Sequence, residues 1–349
     1  MTNPVLVEVE RGEQVESCHR GAVAVVDARG RIELVLGDAA RPIFARSAVK
    51  ALQALPLIET GAADRYGLGD EELVLAASSH GGEPAHIAGV ERMLKQCGLD
   101  VTVLACGTHW PLNQAAAHAL ARAGRQPSAL HNNCSGKHAG FVCVACATGV
   151  PHAGYISAAH PLQREVRAVL EGLTGMTLGE AAIDGCSVPT WAIPLTNLAQ
   201  AFARFATGHS LPPARAKAAA RLRAACAAKP FFAAGTGRFC TVLMQALGER
   251  LYVKAGAEGV LCAALPRQGL GIAVKCEDGA GRGAEVIMAA LIARFLPGDG
   301  ADRQVLDDLM RPTLRNWNGI KVGVLRPVAP LLTSQGGARA AGRGRPQRV

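Results

Sequence analysis

The sequence predicts an α+β fold: an antiparallel sheet built from N- and C-terminal strands, packed by helices, with a mainly helical middle region. Three observations predict it. β-rich runs crowd the first forty residues and return after residue 237. Between about residues 45 and 230 the apolar spacing is helical instead. No G-x-G-x-x-G follows a predicted strand, so a dinucleotide-binding α/β fold lacks support.

Val5 to Glu10, Gly21 to Asp27 and Ile32 to Leu36 read as strands, the last two joined by a turn at Asp27-Ala28-Arg29-Gly30. Arg46-Ser47-Ala48-Val49-Lys50 runs into Ala51, Leu52, Ala54 and Leu55, so it opens a helix with Ser47 and Lys50 on one face. Pro84 suits a first helical position, and Ile87, Val90 and Leu94 carry that helix to Gly98. Leu112 to Ala123, Gly140 to Thr148 and Pro161 to Leu173 follow as helices. Arg250 to Lys254, Val260 to Leu265 and Leu270 to Cys276 return as hairpin strands, and a helix over Gly283 to Phe295 comes after them. Without a repeat or a linker before about Pro327, one catalytic-sized domain is expected over residues 1–328, its helical subregion at about 45–230. A disordered basic Gly/Ala/Arg tail is expected over 329–349.

Composition narrows the function classes. The chain has 349 residues, 49% hydrophobic and 19% charged, which describes a globular protein able to bury a large core. No run approaches the roughly 18 apolar residues of a membrane span. The N-terminus lacks the basic and apolar regions of a secretory signal, so a cytoplasmic location is expected. Net charge is +9, but Arg339, Arg343, Arg345 and Arg348 hold four of those charges in the tail and leave +5 elsewhere. With aromatics at 4%, no specific nucleic-acid partner is expected. Eleven cysteines form an odd set without a signal, which argues against a disulfide framework. Cys143, Cys146, Cys226 and Cys262 lie among apolar residues and read as small buried hydrophobes. Cys134 and Cys186 differ, having Gly, Ser, Asn and Asp around them.

The chemistry starts at Ser47 and Lys50. A serine hydroxyl attacks only when a base takes its proton, and burial can lower a lysine from about 10.4 far enough to be that base. Alone, S-x-x-K fits a capping serine and a solvated lysine equally well. Lys254-Ala255-Gly256, ending the apolar run Leu251-Tyr252-Val253, fills the place of the K-T-G element of serine acyl-transfer enzymes. Ser78-Ser79-His80-Gly81-Gly82-Glu83, Cys106-Gly107-Thr108-His109-Trp110-Pro111 and Asn132 to Gly140 add to these. So do Asp184-Gly185-Cys186-Ser187-Val188-Pro189 and Ala234-Gly235-Thr236-Gly237-Arg238. In this order, over roughly residues 20–295, the chain resembles the L-asparaginase II family, the inducible Rhizobium-type asparaginases.

The resemblance implies a fold similar to serine β-lactamases and glutaminases, and hydrolysis of L-asparagine to L-aspartate and ammonia. It implies Ser47 as nucleophile with Lys50 as base, and Ser79 with Lys254 as a second Ser-Lys pair facing the first. It implies a zinc ion held by Cys134, Lys137 and Cys186, with a fourth position open to water or substrate. Lys137 has an alternative role, as a plain charge near the substrate carboxylate. Homodimerisation also comes from the resemblance. Asparagine carries both charge signs, so Asp184 is a candidate for its ammonium and Arg46 or His138 for its carboxylate. Each has a structural alternative: a capping aspartate, a surface arginine, a hydrogen-bonded histidine. Cys240 is expected to line the pocket. Ala255 departs from the hydroxyl of K-T-G, and Ala227 to Phe232 is a less polar lead into Gly235 than the family pattern suggests. The alternatives to an asparaginase are a glutaminase, another serine acyl hydrolase, or a non-enzymatic zinc or redox sensor built on Cys134 and Cys186.

Overall fold

A computed structural model describes residues 2–296 and 299–332. The strands are β1 (Val5–Arg11), β2 (Gln14–Asp27), β3 (Ile32–Leu36), β4 (Pro42–Phe44), β5 (Ala182–Ile183) and β6 (Pro189–Thr190). They continue as β7 (Ala192–Pro194), β8 (Tyr252–Ala255), β9 (Val260–Leu265), β10 (Leu270–Cys276), β11 (Thr313–Arg315) and β12 (Lys321–Pro327). Among the described residues, eight of them form one antiparallel sheet in the order β11-β12-β1-β2-β10-β9-β8, with β3 also paired to β2. Strands from both ends of the chain thus build one sheet, as the sequence predicts.

β2 organises that sheet. Its first half pairs with β1, and its second half pairs with β3 and β10. The second half, Gly21 to Val26, is buried, whereas Gln14 to Ser17 is exposed and, apart from Val15, polar. Hydrophobic patterning therefore marks only the second half; the first is held by its ladder to β1. β12 is equally hard to read, because Gly323 interrupts it. A Cβ there would stand 1.9 Å from the Glu10 carbonyl oxygen of β1.

The Leu195–Thr207 helix packs on β2, β9 and β10, and the Gly281–Phe295 helix packs on β1, β9, β10 and β12. Gly271 on β10 lets the first approach closely, since a Cβ would lie 1.9 Å from the Ala199 carbonyl oxygen. The middle region is mainly helical, but two short ladders interrupt it: β4 with β7, and β5 with β6. The β5–β6 hairpin carries Cys186 in its turn. Ala329–Leu332 forms a short helix with Leu331 buried, so the ordered fold runs past the expected boundary at residue 328. The remainder of the expected tail, 333–349, lies outside the described residues. Among the described residues no helix is long and apolar enough to cross a membrane.

Candidate active site

Lys254 lies on β8, the edge strand of the sheet, and faces the middle helices across a cleft. Ser47 reaches the same cleft from a 3₁₀ turn, Arg46–Val49, that leads into the Lys50–Gln53 helix. Gly256 permits this meeting: a Cβ would lie 2.8 Å from the Ala45 carbonyl oxygen and 3.1 Å from the Ala48 nitrogen. The glycine of Lys254-Ala255-Gly256 is thus a packing requirement for bringing Lys254 beside Ser47. Ser79 enters at the end of the segment that follows the Asp70–Ala76 helix.

The four residues expected to do chemistry meet, with a change of partners. Lys254 Nζ donates to Ser79 Oγ at 2.8 Å and to the Ala255 carbonyl at 2.6 Å. Lys50 Nζ donates to the same Ser79 Oγ at 3.0 Å and to the Ser78 carbonyl at 2.6 Å. Both lysines are buried, at 0% and 2% exposure for Lys50 and Lys254. Burial, and then the charge of Lys50, bring Lys254 down to about 7. Ser47 has no side-chain hydrogen bond among the described residues; it opens onto a cavity of about 110 Å³ with Ser79, Asn133 and Lys254. Lys50 therefore hydrogen-bonds Ser79 and not Ser47, the serine on its own turn. The first turn is 3₁₀, and Lys50 extends inward from its end.

A web of polar contacts among the resemblance segments holds Ser79. The Ser79 N–H donates to the Ala233 carbonyl at 3.2 Å. His80 Nδ1 accepts from the Gly82 N–H, which leaves Nε2 as the donor to Ser135 Oγ at 2.8 Å. Glu83 accepts from the Thr236 N–H and hydroxyl at 2.9 and 2.6 Å. Asn132 accepts from the Cys134 N–H and donates to the Cys106 carbonyl, each at 2.8 Å. His109 Nε2 accepts from the Asn133 N–H at 3.0 Å. These segments are far apart in sequence and converge here to fix one another.

Beside this lies the expected metal set. The Ser135–Thr148 helix crosses the Asp70–Ala76 helix at Gly136, where a Cβ would stand 2.3 Å from the Leu75 carbonyl oxygen. That crossing brings Cys134 within reach of Lys50, which also holds the Ser78 carbonyl. Lys137 Nζ donates to Cys186 Sγ at 3.2 Å, and Lys50 Nζ to Cys134 Sγ at 3.1 Å. The hydrogen bond from Cys186 holds the Cys134 thiol well below its ordinary value; burial opposes this, and Lys50 and Lys137 assist. Cys186, as donor in that bond, is pushed up. Burial disfavours the Lys137 ammonium, but the sulfurs of Cys186 and Cys134 outweigh it and leave Lys137 raised. Two thiols and the Lys137 ammonium, all buried, thus converge; the thiols suit zinc, and Lys137 would join them as a ligand only by giving up its proton. Lys50 links the two centres, since one Nζ touches both Ser79 and Cys134.

The candidates for substrate charges are placed differently. Asp184 and Arg46 pair with each other at 2.5 Å, and that pairing, against the cost of burial, keeps Asp184 below the usual carboxylate range. Neither lines the cavity that holds Ser47 and Ser79. Each is the other's ion-pair partner in this structure. His138 is fully buried, with Nδ1 2.6 Å from Tyr155 Oη and Nε2 without a hydrogen-bond partner among the described residues. Cys240 lines the cavity as expected. So do two charged residues absent from the sequence-based candidates, Arg238 and Glu285. Arg238 falls in a resemblance segment; Glu285 sits in an apolar helix and gives no local signal.

A sequence profile described as L-asparaginase II matches residues 7–327. The chain belongs to the L-asparaginase II family. Family membership makes it a hydrolase. No curated protein sequence matches it. Among solved structures it is similar to Mglu in its native form in 4.3 M NaCl, at 15% identity over 80% of this chain and 63% of that one, with a TM-score of 0.43. It is also similar to a β-lactamase from Mycobacterium bovis, at 16% identity over 79% of this chain and 94% of that one, with a TM-score of 0.39. The chain spans less than two thirds of the length of Mglu. Its own sheet and helices place it in the α+β class that the family resemblance implied.

Proposed function

We propose that this hydrolase is an L-asparaginase, releasing L-aspartate and ammonia. The observation that carries the reading is the Ser79 hydroxyl held between two buried lysines, at 3.0 and 2.8 Å, in the cavity onto which Ser47 opens. The Ser47 hydroxyl, free of protein partners, attacks the side-chain amide carbon. Its proton passes through Ser79 to Lys254, whose value of about 7 suits it to accept at neutral pH. As the carbon–nitrogen bond breaks, the same proton goes to the leaving nitrogen, which departs as ammonia. Water then repeats the sequence on the acyl-Ser47 ester and frees L-aspartate. At about 110 Å³ the cavity is small beside the roughly 300–1,000 Å³ of typical ligand pockets. A small amino-acid amide suits it better than a bulky acyl donor.

Cys134, Lys137 and Cys186 would hold zinc, with Lys137 giving up its proton to become a ligand. When bound, zinc supplies Lewis-acid polarisation of a carbonyl. We further propose a homodimer, which the family resemblance supports, and a cytoplasmic setting. A second nucleophile assignment has a specific observation in its favour: both lysines touch Ser79 and neither touches Ser47.

The test is ammonia release from L-asparagine by wild type, Ser47→Ala and Ser79→Ala, with L-glutamine alongside and mass spectrometry of a trapped acyl adduct. An adduct on the Ser47 peptide, with activity lost in both folded variants, supports the reading. An adduct on Ser79 reverses the two serines. Turnover of glutamine above asparagine makes the protein a glutaminase. No turnover of either by zinc-loaded wild type would favour the sensor alternative.

A further inference from the structure

Two opposite charges line the reaction cavity without pairing. Glu285 projects from the Gly281–Phe295 helix, and Arg238 precedes the Phe239–Leu247 helix. Among the described residues neither side chain makes a hydrogen bond or an ion pair. Burial pushes the Glu285 carboxyl up, and Arg238 pulls it partly back. Leaving a carboxylate partly buried and unpaired costs free energy that pairing would recover. Elsewhere in this protein such groups are paired, as Asp184 is with Arg46 and Glu59 with Arg215. Glu285 therefore stands out as half-buried and unpaired, and the exposed Arg238 stands out for its place: both border the cavity of Ser47, Ser79 and Lys254.

We propose that Glu285 receives the α-ammonium and Arg238 the α-carboxylate of a free α-amino acid, so that the site accepts only zwitterionic amino-acid amides. The proposal rests on the amidohydrolase reading of the same cavity and adds the source of its substrate selection. Its chemistry is direct. A zwitterion brings one charge to each unpaired group, so both are neutralised only when the ligand is bound. An N-acylated amino acid leaves Glu285 unpaired, and an α-amide leaves Arg238 unpaired. A site built around such bonds rejects analogues lacking them, because its own polar groups are stranded.

The experiment compares wild type, Glu285→Gln and Arg238→Gln on L-asparagine, N-acetyl-L-asparagine and the α-amide of L-asparagine, after circular dichroism confirms folding. For Glu285→Gln the KM for L-asparagine is expected to rise at least about tenfold while kcat changes far less, as for loss of a charged hydrogen bond. The preference for L-asparagine over its N-acetyl form should collapse with it. Arg238→Gln should instead lose the preference over the α-amide. Unchanged KM and unchanged preferences in folded variants would overturn the proposal. A merely structural role would lower kcat or stability and leave the preferences where they were. If wild type releases no ammonia from asparagine, the amidohydrolase reading fails by itself. Calorimetric titration of L-aspartate into wild type and Glu285→Gln then decides the charge pair separately. Binding weakened by the substitution upholds it; equal binding, or none to wild type, overturns it.

Discussion

Ser79 is the residue on which this site turns. Its hydroxyl accepts from Lys50 and Lys254 together, while Lys50 also reaches Cys134. Two lysines this close cannot both carry a proton cheaply. Burial and then the charge of Lys50 bring Lys254 to about 7. A base works only when deprotonated, so its availability is lost as pH falls through that value. We expect kcat/KM for L-asparagine to rise about tenfold per pH unit below about 7 and to level off above it. A profile flat from acid to neutral pH would remove Lys254 from the role of base. Lys254→Met should lower kcat by about 10²–10⁴ and abolish that limb, measured in folded protein. The residue types of this chemistry are readable from S-x-x-K, the Ser78-Ser79 loop and the late lysine. Their pairing is not, since Lys50 bypasses the serine on its own turn.

At the scale of elements, glycines decide how closely the parts approach. Gly136 lets the Ser135–Thr148 helix lie against the Leu75 carbonyl oxygen, where a Cβ would come within 2.3 Å. That crossing sets both Cys134 and the segment leading to Ser79. Gly136→Ala should therefore cost about 1–3 kcal/mol or more in thermal or chemical denaturation. It should also reduce kcat, because the displaced Leu75 lies a few residues before Ser79. Gly179→Ala is the control: nothing lies within 4 Å of a Cβ there, so stability should stay within about 0.5 kcal/mol. Equal effects of the two substitutions would refute the crossing argument. β1, β9 and β10 are legible because their buried runs are β-rich, and β3 because its apolar residues favour a strand although it is mostly exposed. The first half of β2 and the short β5–β6 hairpin are not, because ladder bonds and neighbouring loops stabilise them more than their own side chains do.

For the whole molecule, the metal set and the serine set form one network, and their properties should move together. Zinc is expected at one ion per chain, read by elemental analysis, and Cys134→Ser with Cys186→Ser should reduce it to a trace. Stripping zinc with a chelator should expose the low-lying Cys134 thiolate to alkylation at neutral pH, faster than the apolar Cys226 or Cys262, which burial pushes up. Retention of zinc by the double variant would refute the assignment. Sedimentation should give twice the 36.2 kDa mass of the chain if the proposed homodimer forms. Removing residues 334–349 should leave kcat/KM unaltered and abolish any weak retention on nucleic acid.

The amino-acid sequence by itself determined the α+β class, the building of one sheet from both ends of the chain, and the residue types of the site. These depend on local patterning and on motifs that are contiguous in sequence. The tertiary structure alone decided which groups touch. Ser79 meets Lys254 from 175 positions away, and Asp184 is taken up by Arg46 from 138 positions away. Glu285 arrives at the cavity from a helix whose neighbours are apolar. Contacts of this kind depend on how helices cross and how an edge strand is packed. A side chain's chemistry is local, but its partner is chosen by distances that only the folded backbone establishes.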